Sequence, residues 1–128
     1  MLLKKKKIDI TLDEGEYYIT ADYNRLKQVI INVIKNSIEA IKSDGKIKIN
    51  ISVKNNYLYI EIIDNGIGMS NEEIEKLNYP FFTTKQNGTG LGVYLSREII
   101  EKHNGTMKYE SDNGVKVTIK LPYDASLN

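Results

Sequence analysis

Four short segments of the chain concentrate the residue types that could do chemistry. They are 32–36 (Asn-Val-Ile-Lys-Asn), 64–68 (Asp-Asn-Gly-Ile-Gly), 80–85 (Pro-Phe-Phe-Thr-Thr-Lys) and 88–92 (Gly-Thr-Gly-Leu-Gly). Amide oxygens are hard ligands of the kind that Mg²⁺ binds, a carboxylate accepts hydrogen bonds, and a lysine or a glycine-rich helix start attracts phosphate. These are the parts needed to hold a magnesium nucleotide by a route other than the familiar phosphate loop.

The first segment lies on a predicted helix whose apolar residues fill one side. Asn32 and Asn36 lie one turn apart on the opposite, polar side, together with Lys35. A solvated face is the ordinary explanation for such a side. Asparagine is a mediocre helix former, however, so two of them carry a small stability cost with no obvious local gain. This favours a functional reading in which the amides hold a ligand.

The second segment follows a predicted strand, which delivers the Asp64 carboxylate to its end. Gly66 and Gly68 then allow a flat ligand to approach the main chain closely. A carboxylate there could accept a hydrogen bond from an exocyclic amine such as that of adenine. A plain Asp-Asn-Gly turn explains the same residues equally well when they are considered alone.

The last two segments combine an aperiodic loop with a glycine-rich helix start. The loop is longer than most connections in a compact domain, and such loops are often lids. Lys85, which follows Thr84, could reach a terminal phosphate, although a lone lysine is usually a surface charge. The glycines at 88–92 match neither the dinucleotide fingerprint nor the Walker loop. A helix start there would still favour phosphate through its free N–H groups.

Composition restricts the class of protein. The chain has 128 residues, a net charge of +1, 41% hydrophobic residues, no cysteine and one histidine. These values predict one domain over 1–128, and they argue against nucleic acid binding, disulfides and a histidine-based zinc site. No apolar run reaches membrane-spanning length. The lysine-rich start indicates a solvated strand edge or the cut end of a longer protein. His103 is expected to stabilise a helix C-terminus as a cation.

Apolar periodicity predicts the elements that must position these segments. The predicted strands are 7–12, 17–20, 46–54, 57–63, 106–110 and 115–121, and the predicted helices are 22–43, 70–77 and 91–103. Strands with one buried face and amphipathic helices between them imply a mixed, largely antiparallel sheet with helices on one side. The predicted fold is therefore a two-layer α/β (α+β) sandwich.

In their order and spacing, the four segments resemble the catalytic, ATP-binding domain of bacterial sensor histidine kinases. The resemblance runs from Ala21 to Pro122 and includes His103-Asn104-Gly105 after the last motif. That family belongs to the superfamily of gyrase-type, Hsp90-type and MutL-type ATPases. The resemblance implies the Bergerat fold, a mixed, mostly antiparallel sheet backed by three helices.

The resemblance also implies a role for each matching position. Asn36 would ligate Mg²⁺, Asn32 would support the metal and phosphates, and Lys35 would contact phosphate. Asp64 would bind the adenine amine, and Gly66 and Gly68 would line the base pocket. An ATP lid of about 78–90 would contain Phe81, Phe82, Thr84 and Lys85, with Lys85 among the catalytic residues. The end of the lid and the following helix start would be formed by Gly88, Thr89, Gly90, Leu91 and Gly92.

One position separates the branches of the superfamily. Hydrolytic members carry a glutamate at the place of Asn32, and an amide cannot act as that general base. The resemblance therefore implies transfer of the γ-phosphoryl group of ATP to a histidine. That histidine would lie on a separate dimeric phosphoacceptor domain of the parent kinase, in two-component signal transduction, because His103 does not match the acceptor motif.

The same resemblance carries expectations about partners and location. The chain would be a monomeric, cytoplasmic part of a parent protein, and a membrane anchor elsewhere in that parent is compatible with this. A response regulator would act downstream, and no nucleic acid partner is expected. It would not autophosphorylate alone. Two alternatives stay open: an anti-sigma-type serine kinase of the same fold, and a nucleotide-binding module that transfers nothing.

Overall fold

The computed structural model describes residues 6–13, 15–78 and 88–124, and of residues 88–91 it describes the backbone alone. Within them the chain forms five strands and three helices. The elements are β1 (Lys7–Leu12), α1 (Tyr23–Ala40), β2 (Asp44–Lys54), β3 (Tyr57–Asp64), α2 (Asn71–Asn78), α3 (Gly88–Lys102), β4 (Thr106–Ser111) and β5 (Val115–Pro122).

The strands form one mixed sheet in the order β1-β2-β3-β5-β4. β1 runs parallel to β2, and the other neighbouring pairs are antiparallel. One face of the sheet packs against the helices, with the core formed by residues such as Val33, Ile62, Ile100 and Ile119. The opposite face is more polar, and there Lys120 Nζ lies 4.1 Å from the ring centroid of Tyr57. This confirms the predicted two-layer sandwich of the Bergerat type.

The turns and helix starts follow from local sequence. Asn55 and Asn56 have φ of 53° and 67°, as a tight hairpin between β2 and β3 requires, and asparagine tolerates this region. Ser70 and Glu73 form a capping box at α2: the Glu73 N–H donates to Ser70 Oγ at 3.1 Å, and the Ser70 N–H donates to Glu73 Oε1 at 3.0 Å.

The predicted strand at 17–20 is wrong. Residues 16–22 adopt no regular structure, and no ladder partner for them occurs in the described part of the chain. Tyr17 and Ile19 instead pack, partly buried, against the core. Their alternation reflects this packing against the core rather than strand pairing.

Two predicted helix limits are also wrong. α1 ends at Ala40 and not near Ser43, because Ile41 turns to an extended conformation (φ −92°, ψ 122°) and buries its side chain in the core. Asp44 and Gly45 begin β2. α3 begins at Gly88 rather than at Leu91.

Candidate functional site

Asp64 is the last residue of β3, and its side chain is only 5% exposed. Its Oδ1 accepts the N–H of Gly66 at 2.9 Å and the N–H of Val115 at 3.2 Å. Both bonds use the same oxygen. Among the described residues, Oδ2 is therefore the carboxylate oxygen left to accept a hydrogen bond from a ligand.

The loop after Asp64 is pressed against the end of α1. A Cβ built on Gly66 would lie 2.6 Å from the Ala40 carbonyl oxygen, which also accepts the N–H of Ile67 at 3.1 Å. Only glycine allows this approach. Asn36 lies one turn before Ala40 on the same helical face, so the structure brings the Asp64 loop to the part of α1 that carries Asn36.

The same loop is held on its other side by the β4–β5 hairpin. Ser111 Oγ accepts the N–H of Met69 at 2.9 Å and donates to the carbonyl oxygen of Gly114 at 2.8 Å. Gly68 has φ of +76°, and a Cβ there would lie 3.0 Å from Ser111 Oγ. Gly114, at φ +146°, passes so close to the Asp64 carbonyl oxygen that no Cβ fits.

Asn32 lies at the contact between α1 and α3. Its Nδ2 donates to Ser96 Oγ at 3.2 Å. A Cβ on Gly92 would lie 2.8 Å from Asn32 Oδ1. The structure thus brings one amide of the first segment together with the last glycine of the fourth.

The two remaining polar residues of the first segment differ in exposure. The Nδ2 atom of Asn36 is buried, with no hydrogen-bond partner in the described ranges, whereas Lys35 is exposed. Asn32 and Lys35 line a shallow cavity of about 390 Å³ together with other residues of α1. Asp64 and Asn36 do not line this cavity.

Several predicted site residues lie outside what the structure describes. Phe81, Phe82, Thr84 and Lys85 belong to 79–87, and the side chains of Gly88–Leu91 are likewise not described. Their assignments stay predictions. Of the glycine-rich segment, Gly92 is the residue whose surroundings are described.

Behind the site, a buried arginine joins α2, α3 and β4. The Arg97 guanidinium donates to the carbonyl oxygens of Leu77 and Met107. Burial lowers its pKa, and the nearby Tyr109 and Glu101 act in the opposite direction. Burial also raises the pKa of Tyr109 above its ordinary value of 10.0, with Arg97 opposing. The Asn78 side chain exchanges two 2.9 Å hydrogen bonds with the Tyr109 main chain, which ties the end of α2 to β4.

His103 joins the end of α3 to the start of α1. Its Nδ1 lies 2.8 Å from the Ile99 carbonyl oxygen, and its Nε2 accepts the N–H of Asp22 at 3.0 Å. These two bonds together fit a neutral ring with its proton on Nδ1. The residue lies at the C-terminal end of α3, as expected, and its ring connects that end to the start of α1.

Two contacting residues were not predicted from the sequence. Ser96, which binds Asn32, looks like any small residue of an amphipathic helix. Ser111 precedes an Asp-Asn-Gly turn that indicates only a hairpin. Over the described ranges, no group of three or more His, Cys, Asp or Glu side chains could hold a metal, and no helix is long and apolar enough to cross a membrane.

Comparison with known proteins relates this arrangement to nucleotide-dependent enzymes. Residues 21–125 match the family described as histidine kinase-, DNA gyrase B-, and HSP90-like ATPase. Sporulation kinase B of Bacillus subtilis (strain 168) is 46% identical over 115 residues, which are 87% of this chain and 27% of that protein. Sensor histidine kinase ZraS of Escherichia coli O157:H7 is 38% identical, over 81% of this chain and 23% of that protein.

A solved structure shows the same similarity. The catalytic domain of histidine kinase ThkA superposes with a TM-score of 0.77 and 35% identity, over 95% of this chain and 82% of that one. The chain thus spans about a quarter of the two kinases named above and about four fifths of the ThkA catalytic domain.

Proposed function

Because the chain belongs to the family of histidine kinase-, DNA gyrase B- and HSP90-like ATPases, we propose that it binds Mg-ATP and transfers the γ-phosphoryl group to a histidine. The acceptor lies on a separate dimeric phosphoacceptor domain of the parent kinase, and a response regulator receives the group next. Residues 1–128 are then one catalytic domain that works in the cytoplasm and does not phosphorylate itself alone.

The observation that carries the choice of transfer over hydrolysis is the amide at Asn32. Its Nδ2 is bonded to Ser96 Oγ, and an amide takes no proton at neutral pH. Without a general base for water, an imidazole held in line is the better nucleophile. The similarity to proteins named histidine kinases supports histidine over serine as the acceptor.

Asp64 is the residue proposed to select the base. Its Oδ1 is occupied by two main-chain N–H groups, so Oδ2 is available to the exocyclic amine of adenine. Gly66 packs closely on Ala40 and Gly68 on Ser111, which fixes the loop after Asp64; that Gly66 and Gly68 also line the base pocket is part of the proposal.

The residues present fit a magnesium ion, although no carboxylate or histidine cluster is available for it in the described part of the chain. Asn36 has a buried amide end without a partner, and rotating the carboxamide by half a turn exchanges its nitrogen and oxygen positions. Asn36 would then hold the ion through its oxygen. A bound Mg²⁺ neutralises charge on the phosphates.

The other residues of the proposed site position the phosphates. Lys35 is exposed beside this region and supplies a positive charge, and Lys85, Thr84 and the glycine-rich segment from Gly88 to Gly92 are proposed to complete the phosphate side. Gly92 lets α3 approach Asn32, which supports a shared role of the two segments at the phosphates. The protein contributes mainly position and electrostatics to an in-line transfer.

A transfer assay tests this function. The chain is mixed with γ-labelled ATP, Mg²⁺ and the separately prepared phosphoacceptor domain of its parent kinase, and the bond is identified by its stability to base and lability to acid. We expect label on histidine of the added domain and none on the chain alone. Label on serine, or ATP binding with no transfer to any acceptor, would contradict the proposal.

A further inference from the structure

We propose that Ser111 is a positioning residue of the nucleotide site, which sets the preference for the adenine amine by holding Asp64 in place. This inference rests on the proposed function, because it assumes that Asp64 binds the base. Ser111 lies at the end of β4, outside the four segments that the sequence singled out. It acts through the main chain rather than by touching the nucleotide.

Ser111 connects two different segments of main chain. Its Oγ accepts the N–H of Met69 at 2.9 Å, and its hydroxyl proton is donated to the Gly114 carbonyl oxygen at 2.8 Å. One hydroxyl therefore uses its donor and an acceptor site at once. The loop after β3 and the turn before β5 are joined at this atom.

Each of the two segments supplies one of the hydrogen bonds that fix Asp64. Gly66, three residues before Met69, donates its N–H to Asp64 Oδ1 at 2.9 Å. Val115, the neighbour of Gly114, donates its N–H to the same oxygen at 3.2 Å. Ser111 thus holds both main-chain segments that orient the Asp64 carboxylate and direct its Oδ2 toward the ligand.

The two segments pack closely around Ser111. A Cβ on Gly68 would lie 3.0 Å from Ser111 Oγ, and one on Gly114 would overlap the Asp64 main chain. If the hydroxyl is removed, the Gly114 carbonyl oxygen keeps the N–H of Asp112 at 3.1 Å. The partly buried Met69 N–H loses its partner, and the loop carrying Gly66 is the part set free.

The test compares ATP with the triphosphate of purine riboside, which lacks the 6-amino group, in calorimetric titrations. Wild-type protein should bind ATP more tightly than the analogue. In Ser111→Ala the ratio of the two affinities should fall by about three- to tenfold, the usual effect of one lost hydrogen bond. Ser111→Thr keeps the hydroxyl on a strand that favours threonine, and it should restore the wild-type ratio.

A matched control is Ser52→Ala, an exposed serine of β2, for which no change in the ratio is expected. A purely structural role for Ser111 would lower the stability or weaken both nucleotides equally, and an unchanged ratio in Ser111→Ala overturns the inference. If that variant does not fold, Ser111→Cys keeps the size of the side chain with a weaker hydrogen-bonding group. A wild-type ratio of the two affinities in Ser111→Cys would likewise overturn the inference.

The control outcomes separate this inference from the proposed function. If wild-type protein binds neither nucleotide, or binds both equally, the nucleotide site itself is wrong. If wild-type protein prefers ATP and Ser111→Ala keeps that preference, only the role of Ser111 is wrong.

Discussion

Gly92 of α3 faces Asn32 of α1 so closely that a Cβ on the glycine would lie 2.8 Å from Asn32 Oδ1. The asparagine cannot simply move aside, because its Nδ2 is bonded to Ser96 Oγ on the next turn of α3. The glycine therefore sets how close the two helices come at the point where the first and fourth sequence segments meet.

This contact predicts coupling between the two positions. Gly92→Ala gains about 1 kcal/mol of helix propensity, but it meets an overlap of the kind that costs about 1–3 kcal/mol. In wild type we expect no net gain in the free energy of unfolding. In an Asn32→Ala background the same change should stabilise by up to about 1 kcal/mol. Urea unfolding of the four proteins gives the coupling, and strictly additive effects would show that the two residues do not interact.

Asp64→Asn should change nucleotide preference and leave the fold intact. Asparagine can keep an oxygen at the position of Oδ1 for the N–H groups of Gly66 and Val115. Its amide nitrogen then takes the place of Oδ2, so that two hydrogen-bond donors, this nitrogen and the adenine amine, face each other. Affinity for ATP should fall by about tenfold or more, and the ratio of ATP to GTP affinity should fall as well. Unchanged calorimetric affinities for both nucleotides would exclude Asp64 from the base pocket.

The buried hydroxyl of Tyr109 is expected to make the folded protein less stable at alkaline pH. Its hydroxyl is buried without a partner among the described residues, and burial raises its pKa above the ordinary 10.0. Above pH 10 the unfolded chain releases this proton while the folded protein keeps it. The free energy of unfolding should therefore fall with rising pH, by up to about 1.4 kcal/mol per pH unit.

Tyr109→Phe should remove that contribution. At neutral pH it should also stabilise the protein by about 1 kcal/mol, because an unpaired buried hydroxyl is lost. Urea unfolding from pH 8 to beyond pH 10 measures both effects, with Tyr23→Phe as the control, since Tyr23 is 73% exposed. An equal alkaline loss in wild type and Tyr109→Phe would show that Tyr109 ionises alike in both states.

The fold could be predicted largely from short-range patterns. The alternation in β2 and β3, the capping box at Ser70 and the left-handed Asn104 each depend on a few neighbouring residues, and the structure contains all of them. The missing strand at 17–20 shows the limit of this reasoning. Tyr17 and Ile19 face the core, and alternation alone cannot distinguish such packing from pairing with a neighbouring strand.

The candidate site likewise contains residues that could be predicted from the sequence and residues that could not. Asp64, Asn32, Asn36 and the glycines could be identified because their types and spacing are unusual together. Ser96 and Ser111 could not, since each acts on a partner far away in the chain: Ser96 binds Asn32, and Ser111 binds Met69. The end of α1 depended on the core as well, because burial of Ile41 decided where the helix stops.

The central claim is that the amide of Asn36 and the carboxylate of Asp64 serve one magnesium-bound adenine nucleotide. Its most direct test is calorimetric titration of the chain with ATP, with and without Mg²⁺, for wild type, Asn36→Ala and the control Asn24→Ala, an exposed asparagine of the same helix. We expect wild type and Asn24→Ala to bind ATP with the same magnesium-dependent gain, and Asn36→Ala to lose at least about tenfold in affinity when Mg²⁺ is present. Equal magnesium-dependent affinity in all three proteins would contradict the account.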